Sequence, residues 1–343
     1  MASEFVSYVG RLISVRSVVQ LYPGPYFKQM PRWSLRLGGA SGNKKGVRAV
    51  STVVTNERPT MHPAGPPGPV PVRQDFSRTQ FAPVGRCIYC GSTEELCREH
   101  MLPAGLSGTA VLPKASCRSC GKITGEVERI VLRGHLWPVR IVRRLRLGEP
   151  HKAPKQFPIT VWRGGREETL LLPASEYPIL LHMPILSAPV AVTGERFTQG
   201  IRMTGVHIIS FGPKPNDVGK RLGATRIQHS DTQQPVAFAR MIGKIAYSYA
   251  VACVGLDAFE EVFVRPMILG TADDAGRWVG TREPVGPKRV GELHHLELHF
   301  NQEQRLLVGE VHLLADSDTP SFNVVIGRLR PDYVAPENSP LFR

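Results

Sequence analysis

The chain has 343 residues, of which 42% are hydrophobic and 21% are charged, so a core of ordinary size can form without disulfide crosslinks. No run of 18 uncharged apolar residues occurs, which argues against a membrane-spanning helix and against a membrane partner. The formal net charge of +14 favours a polyanionic partner such as nucleic acid.

Residues 1–80 form the first distinct segment. They contain eleven Lys/Arg and three Asp/Glu, so they carry +8 of the total charge. The stretch 61–72 (MHPAGPPGPVPV) is rich in proline and short of backbone donors. We therefore expect a mostly disordered basic extension that ends in an extended linker. A transit peptide and a translation start at Met61 are two further explanations for this composition, and the sequence leaves both open.

Two Cys-x-x-Cys pairs follow within residues 85–134. A two-residue spacer lets both sulfurs of a pair reach one ion, and thiolates are preferred zinc ligands. The pattern predicts a structural zinc bound by Cys87, Cys90, Cys117 and Cys120. Reduced cysteines of this kind are typical of a cytoplasmic protein. The two other cysteines, Cys97 and Cys253, are expected to be small buried or half-buried residues.

A helix is predicted directly after Cys120. Its apolar residues recur at helical spacing and Gly134 is a suitable stop; they are Ile123, Val127, Ile130 and Val131. Residues 135–150 are rich in arginine and are predicted to form a connector. Three of these arginines, Arg140, Arg143 and Arg144, are candidates for phosphate contacts, although a solvated surface explains them equally well.

Residues 151–335 are predicted to form an α+β domain with an antiparallel sheet and no assigned role. Short β-like runs separated by Pro and Gly alternate along it, and one broad apolar helix is predicted at Pro235–Val254. Strands are expected near His294–Phe300, Leu306–Leu314 and 320–327. His295 and His299 would share one face of the first of these, which makes a second metal there the less favoured alternative.

An ordered set of residues between the cysteine pairs resembles the zinc-stapled HNH endonuclease family. The set is Glu99, His100, Met101, Leu102, Pro103, Leu106 and Gly108. The resemblance covers residues 85–134. It implies an α+β chain in which a small zinc-bound ββα-metal (HNH/treble-clef-like) module precedes the larger domain.

The resemblance also implies roles for individual residues. His100 would be the general base, and Glu99 would bind a catalytic Mg²⁺ or Mn²⁺. The sequence departs from the family at Leu112 and Gly121, where members often have asparagine and asparagine or histidine. Glu126 is a positional substitute for the missing ligand. Lys122, one residue after Gly121, is a candidate phosphate contact.

Three functions follow from these observations. The first is a metal-dependent endonuclease that hydrolyses DNA phosphodiester bonds, with RNA as an open alternative substrate. The second is a catalytically inactive zinc-stapled module that binds nucleic acid or protein. The third is a zinc-bound scaffold that only organises the larger domain. Oligomeric state and cleavage specificity leave no readable pattern in the sequence.

Overall fold

The structure, a computed structural model, describes residues 81–145, 154–196, 199–283, 285–301 and 303–333, with the backbone alone at 229–232. Before residue 81 it describes only the backbone of three strands, Ser7–Tyr8 (β1), Ile13–Gln20 (β2) and Arg32–Leu35 (β3). Apart from these strands, residues 1–80 lie outside the described part of the chain, so the structure does not test the disorder predicted for them. It stays a prediction.

A hairpin followed by a helix forms the cysteine-containing module. Strand β4 (Leu96–His100) pairs antiparallel with β5 (Val111–Cys117), and helix α1 (Arg118–Arg133) begins at the next residue. The predicted helix is confirmed, but its buried face is rotated from the expected one. Ile123 is 38% exposed, whereas Thr124 is buried. The buried stripe follows the helical period through Cys120, Thr124, Val127 and Val131.

The arginine-rich segment 135–150 contains a helical turn, α2 (Trp137–Val142). The remainder of the chain is a mixture of strands and helices, which confirms the α+β class. Its elements are β6 (Gln156–Arg163), β7 (Arg166–Pro173), β8 (Ile179–Leu186), α3 (Val190–Thr193), β9 (Ile201–Phe211), α4 (Pro215–Arg221), β10 (Arg226–Gln233), α5 (Pro235–Val254), β11 (Phe259–Val262), α6 (Arg265–Leu269), α7 (Ala275–Trp278), β12 (Val279–Thr281), β13 (His294–Asn301), β14 (Leu306–Leu313) and β15 (Ser321–Leu329).

Among the described strands, the pairs are antiparallel and form four sheets. Besides the β4–β5 hairpin, the strand orders are β1-β9-β8, β3-β2-β10-β6-β7 and β11-β15-β14-β13, with β12 also paired to β15. Local chemistry explains the tightest connection. Gly164 and Gly165 link β6 to β7 with φ values of 54° and 79°, the left-handed backbone that a two-residue hairpin turn requires.

Helix α5 is the centre of the core. Fourteen of its 20 residues are buried, so it lies between two layers rather than on the surface. One side packs against α1 and the other against β14 and β15. A Cβ at Gly309 of β14 would lie 2.9 Å from Cβ of Ala246, so glycine lets the strand approach the helix closely. Within the described ranges, none of the helices has the length and apolar character that a membrane crossing needs.

His294, the first residue of β13, joins the sheet to the cysteine module. Its Nε2 lies 2.8 Å from the carbonyl oxygen of Leu106, and the backbone N–H of Leu314 donates to its Nδ1 at 3.2 Å. Because Nδ1 accepts that hydrogen bond, the imidazole is neutral and Nε2 donates to Leu106. Burial lowers the pKa of His294 to about 4, with smaller effects from the Leu106 carbonyl, Asp316 and Arg143.

This histidine makes stability sensitive to acid. Its folded pKa of about 4 lies below the ordinary value of 6.5, so the unfolded chain binds a proton that the folded chain excludes. We expect His294 alone to lower the free energy of unfolding by roughly 2 kcal/mol between pH 7 and pH 5. Urea unfolding at both pH values tests this. The His294→Gln variant should be less stable at pH 7 but should lose less on acidification, and an unchanged pH dependence would contradict the assignment.

Candidate functional site

The four cysteines of the two pairs lie together. Their Sγ atoms are all within 4.8 Å of one another, and those of Cys90 and Cys117 are 3.6 Å apart. A tetrahedral zinc with Zn–S bonds of about 2.3 Å separates its sulfurs by about 3.8 Å. The cluster therefore fits such an ion, and the four cysteines can hold a metal such as zinc. Four thiolates complete the tetrahedron, so the site suits a structural metal.

Local backbone structure brings each pair into place. The N–H of Gly91 donates to the carbonyl of Cys87 at 2.9 Å, and Gly91 has a φ of 80°, so the first pair forms a tight turn. Cys117 ends β5, and Cys120 lies in the first turn of α1. The strand-to-helix junction thus turns the second pair towards the first.

The thiols of the cluster differ in the direction in which their pKa values are shifted. Burial alone would raise the pKa of Cys117, but hydrogen bonds from the Ser119 hydroxyl, 3.2 Å away, and from Cys120 outweigh it and lower the pKa to about 6. Burial and the neighbouring thiols of Cys117 and Cys90 raise the pKa of Cys120. A thiolate at one cysteine therefore disfavours ionisation of the neighbouring thiols, and a bound cation would remove that repulsion.

A second charged cluster lies beside the cysteines, on the face of the module that meets α5. Nζ of Lys244 is 2.7 Å from Oε1 of Glu99 and 2.9 Å from Oε1 of Glu128, and it also donates to the carbonyl oxygen of His100. Lys244 is 2% exposed and Glu99 is 5% exposed. Burial alone would lower the pKa of Lys244, but the charges of Glu99 and Glu128 outweigh it and raise the pKa. The ammonium is therefore charged.

Two neighbours of Lys244 extend the contact between α5 and the module. The hydroxyl of Tyr247 donates to the carbonyl oxygen of Ile88 at 2.6 Å, and Arg265 donates to that hydroxyl at 3.0 Å. Ser248 lies on the same side of the helix; its hydroxyl donates to the carbonyl oxygen of Lys244 at 2.8 Å and lies 3.5 Å from the carbonyl oxygen of Met101. Residues at positions i, i+3 and i+4 of a helix share one face, so these three form a single polar contact surface.

His100 ends strand β4 and is half-buried. Burial lowers the pKa of its imidazole, and the positive charges of Lys244 and Arg98 lower it further. The ring is therefore mostly neutral at pH 7, the form that can accept a proton. Its backbone carbonyl accepts a hydrogen bond from Lys244, so both the backbone and the imidazole of this residue are influenced by the same ammonium.

The structure brings Glu128, and not Glu126, to Glu99. Glu126 lies on the exposed face of α1, where Arg129 donates to its Oε2 at 2.7 Å. That hydrogen bond lowers the pKa of Glu126. Two residues along a helix are separated by about 200°, so both glutamates cannot face the same side. The helical period offered a signal for Glu128, because this residue is four positions after the buried Thr124.

The predicted phosphate-contact residues have different environments. Arg140 is buried and donates to the carbonyl oxygens of Gly105 and Leu132 at 2.7 and 2.8 Å. Arg143 pairs with Asp316. These two arginines make contacts within the chain, whereas Arg144 and Lys122 are exposed.

The two cysteines outside the pairs differ in exposure. Cys97 is exposed, so the expectation that it is buried or half-buried was wrong; Cys253 is half-buried as expected.

Comparison of the chain with protein-family models, curated proteins and solved structures gives no significant match. The interpretation of the candidate site therefore depends on its geometry alone.

Sequence reasoning missed Lys244, although one signal was present. It is the only Asp, Glu, Lys or Arg in the stretch 241–256, where every buried neighbour is apolar or uncharged. A lone charge in such a helix requires a buried partner of opposite charge.

Proposed function

We propose that this chain is an HNH-type, metal-dependent endonuclease that hydrolyses DNA phosphodiester bonds. One observation carries the proposal. Oxygens from Glu99, Glu128 and the carbonyl of His100 converge on a single cationic group beside a neutral imidazole. Three hard oxygens around one position are the donors that Mg²⁺ or Mn²⁺ prefers. The hairpin followed by a helix, with the four-cysteine cluster joining them, has the element order of a ββα-metal module and supports that assignment.

The residues of the module have separate tasks in this proposal. The neutral imidazole of His100 accepts the proton of the attacking water as its oxygen bonds to phosphorus and the bond to the leaving sugar oxygen breaks. Glu99 and Glu128 would hold the divalent ion, which when bound supplies charge stabilisation to the phosphoryl group. Lys244 holds the cation position in the described conformation. The proposal therefore requires the ammonium to leave before cleavage.

The outer face of α1 supplies a surface for the phosphate backbone. Exposed cations follow one another along it at helical spacing: Arg118, Lys122, Arg129 and Arg133. Two of them already have acidic neighbours, because Arg118 lies 3.7 Å from Glu95 and Arg129 pairs with Glu126. Exposed pairs of this kind are weak and exchange readily for phosphate contacts. Lys122 and Arg133 are the strongest candidates on this face.

A non-cleaving nucleic-acid-binding module is the second candidate, and a specific observation favours it. Lys244 is almost fully buried and contacts both carboxylates, so the position between Glu99 and Glu128 is already occupied by a cation. Removing a buried ammonium from two carboxylates is unfavourable. If the ion cannot displace it, the module retains its basic helix face but lacks the metal needed for hydrolysis.

Plasmid nicking separates the two candidates. Zinc-loaded full-length protein is incubated with supercoiled DNA, with and without Mg²⁺ or Mn²⁺, and binding is measured by retention at two salt concentrations. The endonuclease proposal predicts metal-dependent nicking that falls at least about a hundredfold in His100→Ala, because a positioned base contributes about 10²–10⁴-fold. His207→Ala is the matched control, since His207 is half-buried like His100 and lies outside the module.

Each other outcome selects a different function. Salt-sensitive retention without nicking in wild-type protein supports the non-cleaving module. Nicking that persists in His100→Ala would overturn the assignment of the base. Neither nicking nor retention, with zinc still bound, would leave the scaffold as the remaining function.

A further inference from the structure

The face of β13 and β14 away from the cysteine module carries a second group of metal-binding side chains. Glu297 of β13 lies directly opposite Glu310 of β14, and His299 follows two residues later on the same face. One ligand atom from each lies within 4.8 Å of the other two. We infer that Glu297, His299 and Glu310 bind a divalent first-row transition-metal cation such as Zn²⁺ or Mn²⁺. This inference does not depend on the proposed endonuclease function.

Glu310 is the fixed ligand of the three. Its side chain is 2% exposed, and Nη1 of Arg282 donates to both carboxylate oxygens at 3.0 and 2.8 Å. This contact with a guanidinium holds the carboxylate in one orientation before any ion arrives.

The spacing of the other ligands fits an ion better than a direct hydrogen bond. Nε2 of His299 is 3.5 Å from Oε2 of Glu310, and Nδ1 is 3.9 Å from Oε1 of Glu297. Both distances exceed the range of a good hydrogen bond. Only one ring nitrogen of His299 can bind a given ion, so the relevant measure is that one ligand atom from each residue lies within 4.8 Å of the other two. Two ligand atoms bound at about 2.1 Å to one metal are separated by about 3.0–3.4 Å, so the side chains must move closer by at most about 1.8 Å.

Neighbouring residues orient Glu297 and balance the charge. His295 lies between two carboxylates, with Nδ1 3.0 Å from Glu292 and Nε2 3.2 Å from Oε2 of Glu297. This leaves Oε1 of Glu297 on the side of His299. Three carboxylates face two guanidinium groups, Arg282 and Arg289, so the group has an excess of negative charge when its imidazoles are neutral. A divalent cation compensates that excess.

The chemistry of the donors selects the type of ion, and their exposure allows it to enter. One imidazole and two carboxylates suit Zn²⁺ or Mn²⁺, while Mg²⁺ and Ca²⁺ prefer oxygen donors alone. Glu297 and His299 are 44% and 47% exposed. Three protein ligands leave a coordination position for water, which distinguishes this site from the closed cysteine cluster.

Cobalt titration tests the site in the full chain with zinc already bound to the cysteines. Co²⁺ bound by nitrogen and oxygen gives weak visible bands, whereas exchange into the cysteine cluster would give sulfur charge-transfer bands, so the two sites are distinguishable. We expect one additional equivalent of Co²⁺ without sulfur bands. His299→Ala should weaken its binding at least tenfold. Glu303→Gln, at an exposed position in the β13–β14 turn, should leave the binding unchanged.

A second variant guards against misfolding. Glu310→Gln keeps the shape of the buried side chain and should also weaken Co²⁺ binding, while circular dichroism reports whether the sheet persists. The inference is overturned if no additional equivalent binds to wild-type protein. It is equally overturned if His299→Ala binds Co²⁺ as tightly as wild type does.

Discussion

Cys117→Ser should reduce bound zinc from one per chain to well below that ratio and should unfold residues 85–134 before the rest of the chain. A serine hydroxyl does not ionise near neutral pH, so it cannot replace the thiolate that Ser119 and Cys120 favour at this position. Zinc contributes about 10–16 kcal/mol of apparent binding free energy in small zinc-finger peptides, so losing a ligand removes a large share of local stability. Elemental analysis measures the zinc, and amide hydrogen exchange locates the loss.

Cys97→Ser is the matched control for this experiment. Cys97 belongs to the same hairpin but is exposed and lies outside the group of four sulfurs. It should keep both zinc content and exchange protection. Unchanged zinc in Cys117→Ser would refute the four-cysteine site. Equal protection across the hairpin and α1 would show that the metal does not stabilise the module.

Lys244→Met should destabilise the chain by about 3–5 kcal/mol, because it leaves the buried carboxylate of Glu99 and the half-buried carboxylate of Glu128 without a counter-charge. Methionine preserves most of the side-chain volume, so a cavity contributes little to this effect. The carbonyl oxygen of His100 also loses its donor. Urea unfolding monitored by circular dichroism gives the free-energy difference.

The triple variant Lys244→Met, Glu99→Gln, Glu128→Gln identifies the cause. It removes all three charges, and we expect it to recover most of the lost stability, since replacing a whole buried ionic group is far less unfavourable than breaking it. Lys288→Met is the control, because Lys288 is exposed and should change stability by less than about 0.5 kcal/mol. A Lys244→Met variant as stable as the Lys288 control would show that the cluster is not an ionic one.

Features with a local signal were predicted from the sequence. The helical period and the flanking glycine defined α5 at Pro235–Val254. The late strands have local alternation, and the structure places them at His294–Asn301, Leu306–Leu313 and Ser321–Leu329. The two cysteine pairs were also readable, because the spacing within a pair decides whether both sulfurs can reach one ion.

Features that depend on distant partners were not predicted. The contact of Lys244 with Glu99 joins residues 145 positions apart, and no local pattern encodes such a pair. The environment of Arg140 was missed for the same reason. A basic run suggests an exposed surface, but the carbonyls of Gly105 and Leu132 accept this guanidinium inside the fold. The orientation of α1 was also missed, because Ile123 is apolar yet faces solvent.

The arrangement around the ammonium of Lys244 restricts how this chain can evolve. One ammonium lies between two carboxylates, so loss of Lys244 alone leaves both carboxylates without a counter-charge, whereas loss of one glutamate leaves a balanced pair. Neutral loss of the lysine must therefore be coupled to the replacement of an acidic residue. Homologous chains that have lost the lysine should also have lost at least one of the two acidic side chains, even where the surrounding residues have diverged little.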